Sequence, residues 1–173
     1  MVIPVNEFSK REGERELPLD PATTTGNGHV VFIGLIRSPW KNREDCPKNM
    51  ATARERGQQA TLEIDKPYRP GLQGLEAYSH VAIISWLDRA PRNLIVQKPR
   101  HATVAKGVFA LRSPARPNPV GLHIAKVIAM DAAAGLITLD GIDLLDGTPV
   151  IDLKPYFAST DSIPDATPGR AVK

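Results

Sequence analysis

The chain has 173 residues, room for one domain with a sizeable core, and its 42% hydrophobic and 24% charged residues are ordinary for a soluble globular protein. The net charge is +3. The single cysteine, Cys46, excludes an intramolecular disulfide, and the longest apolar run, around Val81 to Leu87, falls far short of a membrane-spanning helix. The N-terminus lacks the continuous apolar region of a secretion signal, so a cytoplasmic protein is expected. His29, His80, His101 and His123 are scattered without zinc-like spacing, and no metal is expected.

Sixteen prolines point to turns and edges rather than long helices. Residues 1–28 are polar, then threonine- and glycine-rich, and read as a flexible arm with a short strand near Val2 to Val5. From His29, HVVFIGLIRS has strand length and composition until SPWKNREDCPKN breaks it. A helical turn over Thr52 to Gln59 is predicted before a strand at Ala60 to Ile64. PYRPGLQGLE reads as a turn and short helix, and SHVAIISWLD as a strand. RAPRNLIVQKPRHAT reads as a basic linker, followed by a strand candidate in AKGVFALRS. HIAKVIAMD and GLITLDGIDLLDG are strand runs joined through DAAAG, a hairpin-like connection. GTPVIDLKPYF closes the domain at residue 157, and residues 158–173 form a polar tail. Short strands at this spacing, with no long helices between them, predict a mainly β fold with few short helices and no doubly wound sheet. A barrel or a sandwich fits. VFIGLIRSP and VFALRSP echo each other, each read as a strand ending in Arg-Ser-Pro.

The stretch RSPARPNPVGL carries the most chemistry. Ser113, Arg116 and Asn118 all precede prolines and are pushed extended, while Gly121 permits close backbone approach. A stiff loop would pre-position Arg112 and Arg116 for a carboxylate or phosphate. The alternative is a structural turn with an internal Arg–Asp bridge. Lys98, Arg100, His101, Lys106, Arg112 and Arg116 fall within nineteen acid-free residues, which suits an anionic partner or a solvated rim. Downstream, Asp140, Asp143, Asp146 and Asp152 are spaced among apolar residues. Asp146, before Gly147, reads as a turn residue, leaving Asp143 as the better functional candidate. No phosphate-cradling loop, dinucleotide fingerprint, zinc helix or nucleophile elbow is present.

GLIRSPW, GLEAYSHVAII, GVFALRSPARPNPVGL and LDGIDLLDGTPVIDLKPY resemble, in order, the blocks of the TsaA-like family. Its best-known members are TrmO-type tRNA methyltransferases, and the resemblance spans about Val31 to Phe157. It implies a compact β-barrel over residues 29–157, a homodimer, and S-adenosylmethionine bound close to the dimer interface. The implied reaction is methyl transfer to N6 of threonylcarbamoyl-adenosine next to the anticodon of tRNA. Carried over by motif, the cofactor site comprises Pro47, Lys48, Asn49, Asp88, Arg89, Arg112, Leu122, Asp140, Gly141, Ile142 and Asp143. Arg112 or Arg116 would clamp the methionyl carboxylate or a tRNA phosphate, and Lys154 joins Arg116 as an anion-binding candidate. The protein's main task would be to align nucleophile, methyl and sulfur. Asn118 or Asp152 would then accept near N6 as the catalytic group.

Three departures stand out. Asp88 replaces a histidine, Lys48-Asn49 replaces an Arg-Gln pair, and the chain ends soon after KPYF without the C-terminal extension of many bacterial tRNA enzymes. Three readings follow: a tRNA methyltransferase, a methyltransferase of a small molecule or other nucleoside, and a non-catalytic cofactor-binding module.

Overall fold

Prolines and glycines cut the chain into short extended pieces. The computed structural model describes residues 11–16, 29–100 and 102–167. Its elements are β1 (Arg15–Glu16), β2 (Gly34–Arg37), α1 (Met50–Arg56), β3 (Ala60–Ile64), β4 (His80–Trp86), β5 (Leu94–Gln97), β6 (Lys106–Gly107), β7 (Val120–Asp131), β8 (Leu136–Leu139), β9 (Pro149–Pro155) and α2 (Ala158–Asp161). The fold is mainly β with few short helices, as the turn spacing predicts. No helix among the described residues is long and apolar enough to cross a membrane.

Six strands pair antiparallel into a closed ring in the order β2-β3-β8-β7-β4-β9, and β9 returns to β2 through Gly34↔Val150 and Leu35↔Pro149. Alternation does the sorting. In β4, Val81, Ile83 and Ser85 face inward while His80, Ala82, Ile84 and Trp86 face out. Ile36, Leu62, Val81, Ile83, Ala125, Ile137, Leu139 and Val150 fill the interior and are fully buried. The burial of the Val, Leu and Ile side chains among them is the main stabilising term, about 1.5–3 kcal/mol each. Outside the ring, β1, β5 and β6 form a second, three-stranded sheet.

Helix α1 starts where Asn49 caps it, its side chain accepting from Thr52 N at 2.9 Å. It stops at Gly57, whose φ of 63° lies in the left-handed region.

Several expectations change. Of HVVFIGLIRS, only Gly34–Arg37 is strand, because the ladders with β3 and β9 begin at Gly34 and Ile33 adds only single backbone bonds to Val150 and Asp65. Val30, Val31 and Phe32 lie exposed outside the ring. AKGVFALRS pairs only at Lys106–Gly107 and then tightens into a 3-10 turn at Val108–Ala110. The two Arg-Ser-Pro segments therefore end different structures, a strand and a turn. The basic linker contains β5, which a sequence rich in arginine and proline concealed. Within the expected flexible arm, Arg15–Glu16 pairs with β5, and buried Glu14 accepts from Lys98 N at 2.8 Å and Arg11 N at 2.9 Å. The strand expected near Val2 to Val5 lies outside the described residues, and α2 occupies the start of the expected polar tail.

Candidate functional site along the open edge of β7

Strand β7 has twelve residues, but β8 covers only its second half, from Val127 onward. The backbone groups of the first half on that side need other partners, because an unpaired strand edge leaves polar groups unmatched. Side chains supply them. Arg112 Nη2 donates to Leu122 O at 3.2 Å, Arg54 Nη2 donates to Ile124 O at 2.7 Å, and Lys126 N donates to Asp140 Oδ1 at 3.0 Å. Asp140 also lies 3.6 Å from Arg54 Nε, so α1 is tied to the same edge.

From Asp140 the chain runs along the end of the ring to Thr148, pinned throughout. Gly141 backs onto Ala53, where a Cβ would stand 3.1 Å from the carbonyl oxygen. Buried Trp40 donates from Nε1 to Ile142 O at 2.8 Å. Ser38 Oγ donates to Leu144 O at 2.8 Å, and Ser38 N donates to Asp146 Oδ1 at 3.1 Å. Arg89 Nη2 donates to Asp146 O at 3.1 Å. Asp146 is the turn residue expected, with Gly147 at φ 80°. Its carboxyl is held below the usual range, mainly by the hydrogen bond from Lys41 Nζ at 2.7 Å, with Ser38 N–H assisting against burial.

Inside this frame three polar side chains meet. His123 Nδ1 lies 2.6 Å from Asp143 Oδ1, and His123 Nε2 lies 3.0 Å from Ser85 Oγ. Ser85 is fully buried and His123 nearly so, whereas the Asp143 side chain is 16% exposed. Cys46 sits close enough to feel Asp143. Its thiol is pushed up to about 11, first by burial and then by that carboxylate. Of the three, only Asp143 is a functional candidate in the sequence; Ser85 and His123 are not. The available signal was a polar residue at an inward position of two otherwise apolar strands, Val81-Ile83-Ser85 and Gly121-His123-Ala125.

The structure distributes the remaining candidates around this edge. Arg112, Leu122, Asp140, Gly141, Ile142 and Asp143 border it directly. Pro47 is buried and Lys48 exposed at the head of α1, where Asn49 is occupied as the helix cap. Asp88 is exposed just past β4, and Arg89 braces the 140–148 segment from there. Asp152 and Lys154 pair at 2.8 Å on the outward face of β9, in register with Ile84 and Ala82, which in turn oppose Leu122 and Ile124. Asn118 is exposed in the turn before β7, and its carbonyl accepts from Val120 N at 2.8 Å. Arg116 acts within its own loop, donating to Ser113 O at 2.8 Å, Val108 O at 3.1 Å and Leu111 O. The stiff loop is thus stitched by arginine to backbone carbonyls, not by an Arg–Asp bridge. An open groove of about 580 Å³ adjoins the pinned segment at Ser38, Lys41 and Asp146 and runs past Arg37, Gln59 and Thr138, and none of the cofactor-site candidates lines it.

S-adenosylmethionine presents a carboxylate, an ammonium, ribose hydroxyls and an apolar purine face. The β7 edge offers an exposed guanidinium at Arg112, exposed apolar Val120 and Leu122, and an Asp143 Oδ2 with no partner among the described residues. These groups fit that ligand chemistry.

Known proteins agree with this architecture. The family model for the tRNA-methyltransferase O N-terminal domain matches residues 35–162. The probable S-adenosyl-L-methionine-binding protein VirR of Rhizobium radiobacter is 42% identical over 130 residues, covering 75% of this chain and 71% of its own. The tRNA (adenine(37)-N6)-methyltransferase of Escherichia coli is 35% identical over 143 residues, 78% of this chain and 60% of its own. The crystal structure of TrmO from Pseudomonas aeruginosa superposes with a TM-score of 0.68 at 36% identity, covering 83% of this chain and 62% of that one. The chain therefore spans about three fifths of the E. coli enzyme and of the solved TrmO. With the match running from β2 through α2 and taking in the whole ring, this chain belongs to the TrmO family.

Proposed function

We propose that the protein is an S-adenosylmethionine-dependent methyltransferase that N6-methylates threonylcarbamoyl-adenosine next to the anticodon of tRNA, working in the cytoplasm as a homodimer. The observation that carries this reading is the match to tRNA (adenine(37)-N6)-methyltransferases of E. coli and Rattus norvegicus, at 35% and 36% identity over 78% and 82% of this chain. The cofactor, when bound, supplies a methyl group already activated on sulfur. The chain's own residues bind and orient. Arg112 takes the methionyl carboxylate through the guanidinium edge not used on Leu122 O. Asp143 accepts from the ammonium or a ribose hydroxyl. Val120 and Leu122 shield the purine. Asn118 accepts from the N6–H of the acceptor, its exposed side chain making no hydrogen bond among the described residues, whereas Asp152 is already engaged by Lys154 and by Leu153 N at 2.9 Å. Alignment is the main catalytic contribution, since the leaving group needs no help.

Calorimetric titration with S-adenosylmethionine, followed by transfer of labelled methyl to tRNA, tests the proposal. Binding with transfer supports it. A protein that binds the cofactor but methylates no tRNA favours the module or small-acceptor readings, to which the names of the relatives from R. radiobacter and Methanothermobacter thermautotrophicus, probable S-adenosyl-L-methionine-binding proteins, lend weight. No binding at all overturns it.

A further inference from the structure

The Ser85–His123–Asp143 chain has a direction. A carboxylate accepts and does not donate, so the 2.6 Å contact makes His123 Nδ1–H the donor, and in the Nδ1–H tautomer Nε2 accepts from the Ser85 hydroxyl. The same three residue types form the nucleophilic triad of hydrolases. That chemistry is closed here, because Ser85 is fully buried and the Gly121 backbone packs directly against its hydroxyl. The one accessible end is the carboxylate: Oδ1 is taken by the histidine, and Oδ2 has no partner among the described residues.

We propose that His123, held by Ser85, is a positioning residue for the cofactor site. By tying down Asp143 Oδ1 it presents Oδ2 at a fixed angle to a hydrogen-bond donor of S-adenosylmethionine, its ammonium or a ribose hydroxyl. Asp143 sits in a connecting segment, where an untethered carboxylate would sample several rotamers and lose that freedom on binding. The buried imidazole removes this cost in advance by bracing the loop acid from a strand of the ring. Side-chain donors Trp40 Nε1 and Ser38 Oγ hold the Ile142 and Leu144 carbonyls and fix the segment on either side, so the side-chain torsions of Asp143 are what the histidine controls. The inference rests on the methyltransferase reading.

Two substitutions separate positioning from packing. His123→Asn keeps an amide N–H near the place of Nδ1, and His123→Gln puts its amide near the place of Nε2. Both remove the ring and leave similar space, so a packing role affects them alike. The dissociation constant for S-adenosylmethionine, measured by calorimetry, is expected to stay within about threefold of wild type in His123→Asn and to weaken about tenfold or more in His123→Gln. Nitrogen-15 spectra of the wild-type ring are expected to show the Nδ1-protonated tautomer, whether or not either variant folds. Wild-type affinity in both variants overturns the proposal, as do equal losses that follow their thermal stability. An Nε2-protonated ring overturns it as well. Absence of cofactor binding by the wild type, with the expected tautomer present, overturns the methyltransferase reading and takes this inference with it.

Discussion

Gly121 and Ser85 are direct partners in the β7–β4 ladder, and a methyl group on Gly121 would stand 2.3 Å from Ser85 Oγ and 2.5 Å from His123 Nε2. Glycine is needed here for room rather than for backbone freedom, since its φ is not in the left-handed region. Gly121→Ala is expected to destabilise the protein by about 1–3 kcal/mol through overpacking and to push the hydroxyl off the imidazole. Thermal unfolding should show a drop of roughly 2–4 °C per kcal/mol for a chain of this size. An unchanged transition would mean that Ser85 rotates aside without cost.

A second glycine makes a harder demand on the ring. Gly34 lies where β2 crosses β3, and a Cβ there would be 2.0 Å from Glu63 O, a backbone atom that cannot swing away. Gly34→Ala is expected to cost more than Gly121→Ala, about 3 kcal/mol or above, by prising the two strands apart. Urea unfolding of the two variants side by side checks the order.

Asp146 makes stability depend on pH. Its folded pKa lies below the unfolded value, so the stabilisation it contributes is complete above the unfolded value of about 4 and is lost as pH falls through the folded one. Lys41 is mostly exposed, and solvent screening keeps the expected loss in Asp146→Asn to about 1 kcal/mol at pH 7. That difference should shrink as pH falls below the unfolded value and through the folded one. Denaturation at pH 7, 5 and 3 distinguishes this from a constant loss, which would point to shape rather than charge.

Cys46 reports on the site from behind. With its thiol raised to about 11, labelling by a disulfide reagent at pH 8 is expected to be slow, the thiolate being about one part in a thousand. Asp143→Asn removes the second of the two causes and should speed labelling. An unchanged rate would separate the cysteine from the carboxylate.

No acidic residue occurs between Asp88 and Asp131. If tRNA is the acceptor, its binding should weaken roughly tenfold or more between 50 and 200 mM salt, because neutralised phosphates release counterions. Lys106→Ala should lower the salt slope by about one if that side chain meets a phosphate. A flat response, measured by filter binding, would favour a small acceptor.

The residue order alone placed β3, β4 and β7, because alternation of buried and exposed side chains is a local pattern that survives in any context; the run GLITLDGIDLLDG, read as strand throughout, is strand only at Leu136–Leu139 and then leaves the sheet as the pinned segment. It also carried the Asp146-Gly147 turn, whose requirement for a positive φ is written in one dipeptide. Local pattern could not find β5, since its partners β1 and β6 lie elsewhere in the chain and its proline- and arginine-rich neighbours argue for a loop. Nor could it assign Arg112 and Asp140, whose hydrogen bonds to the edge of β7 follow from β8 being shorter than β7, or Arg116, whose partners are carbonyls of its own loop. The meeting of Ser85 with His123, 38 residues on, and of His123 with Asp143, 20 residues further, was decided by the tertiary structure. Ring closure puts two inward strand positions and one pinned segment within hydrogen-bond reach, and contacts made by closing a ring leave no trace in the spacing of residues along the chain.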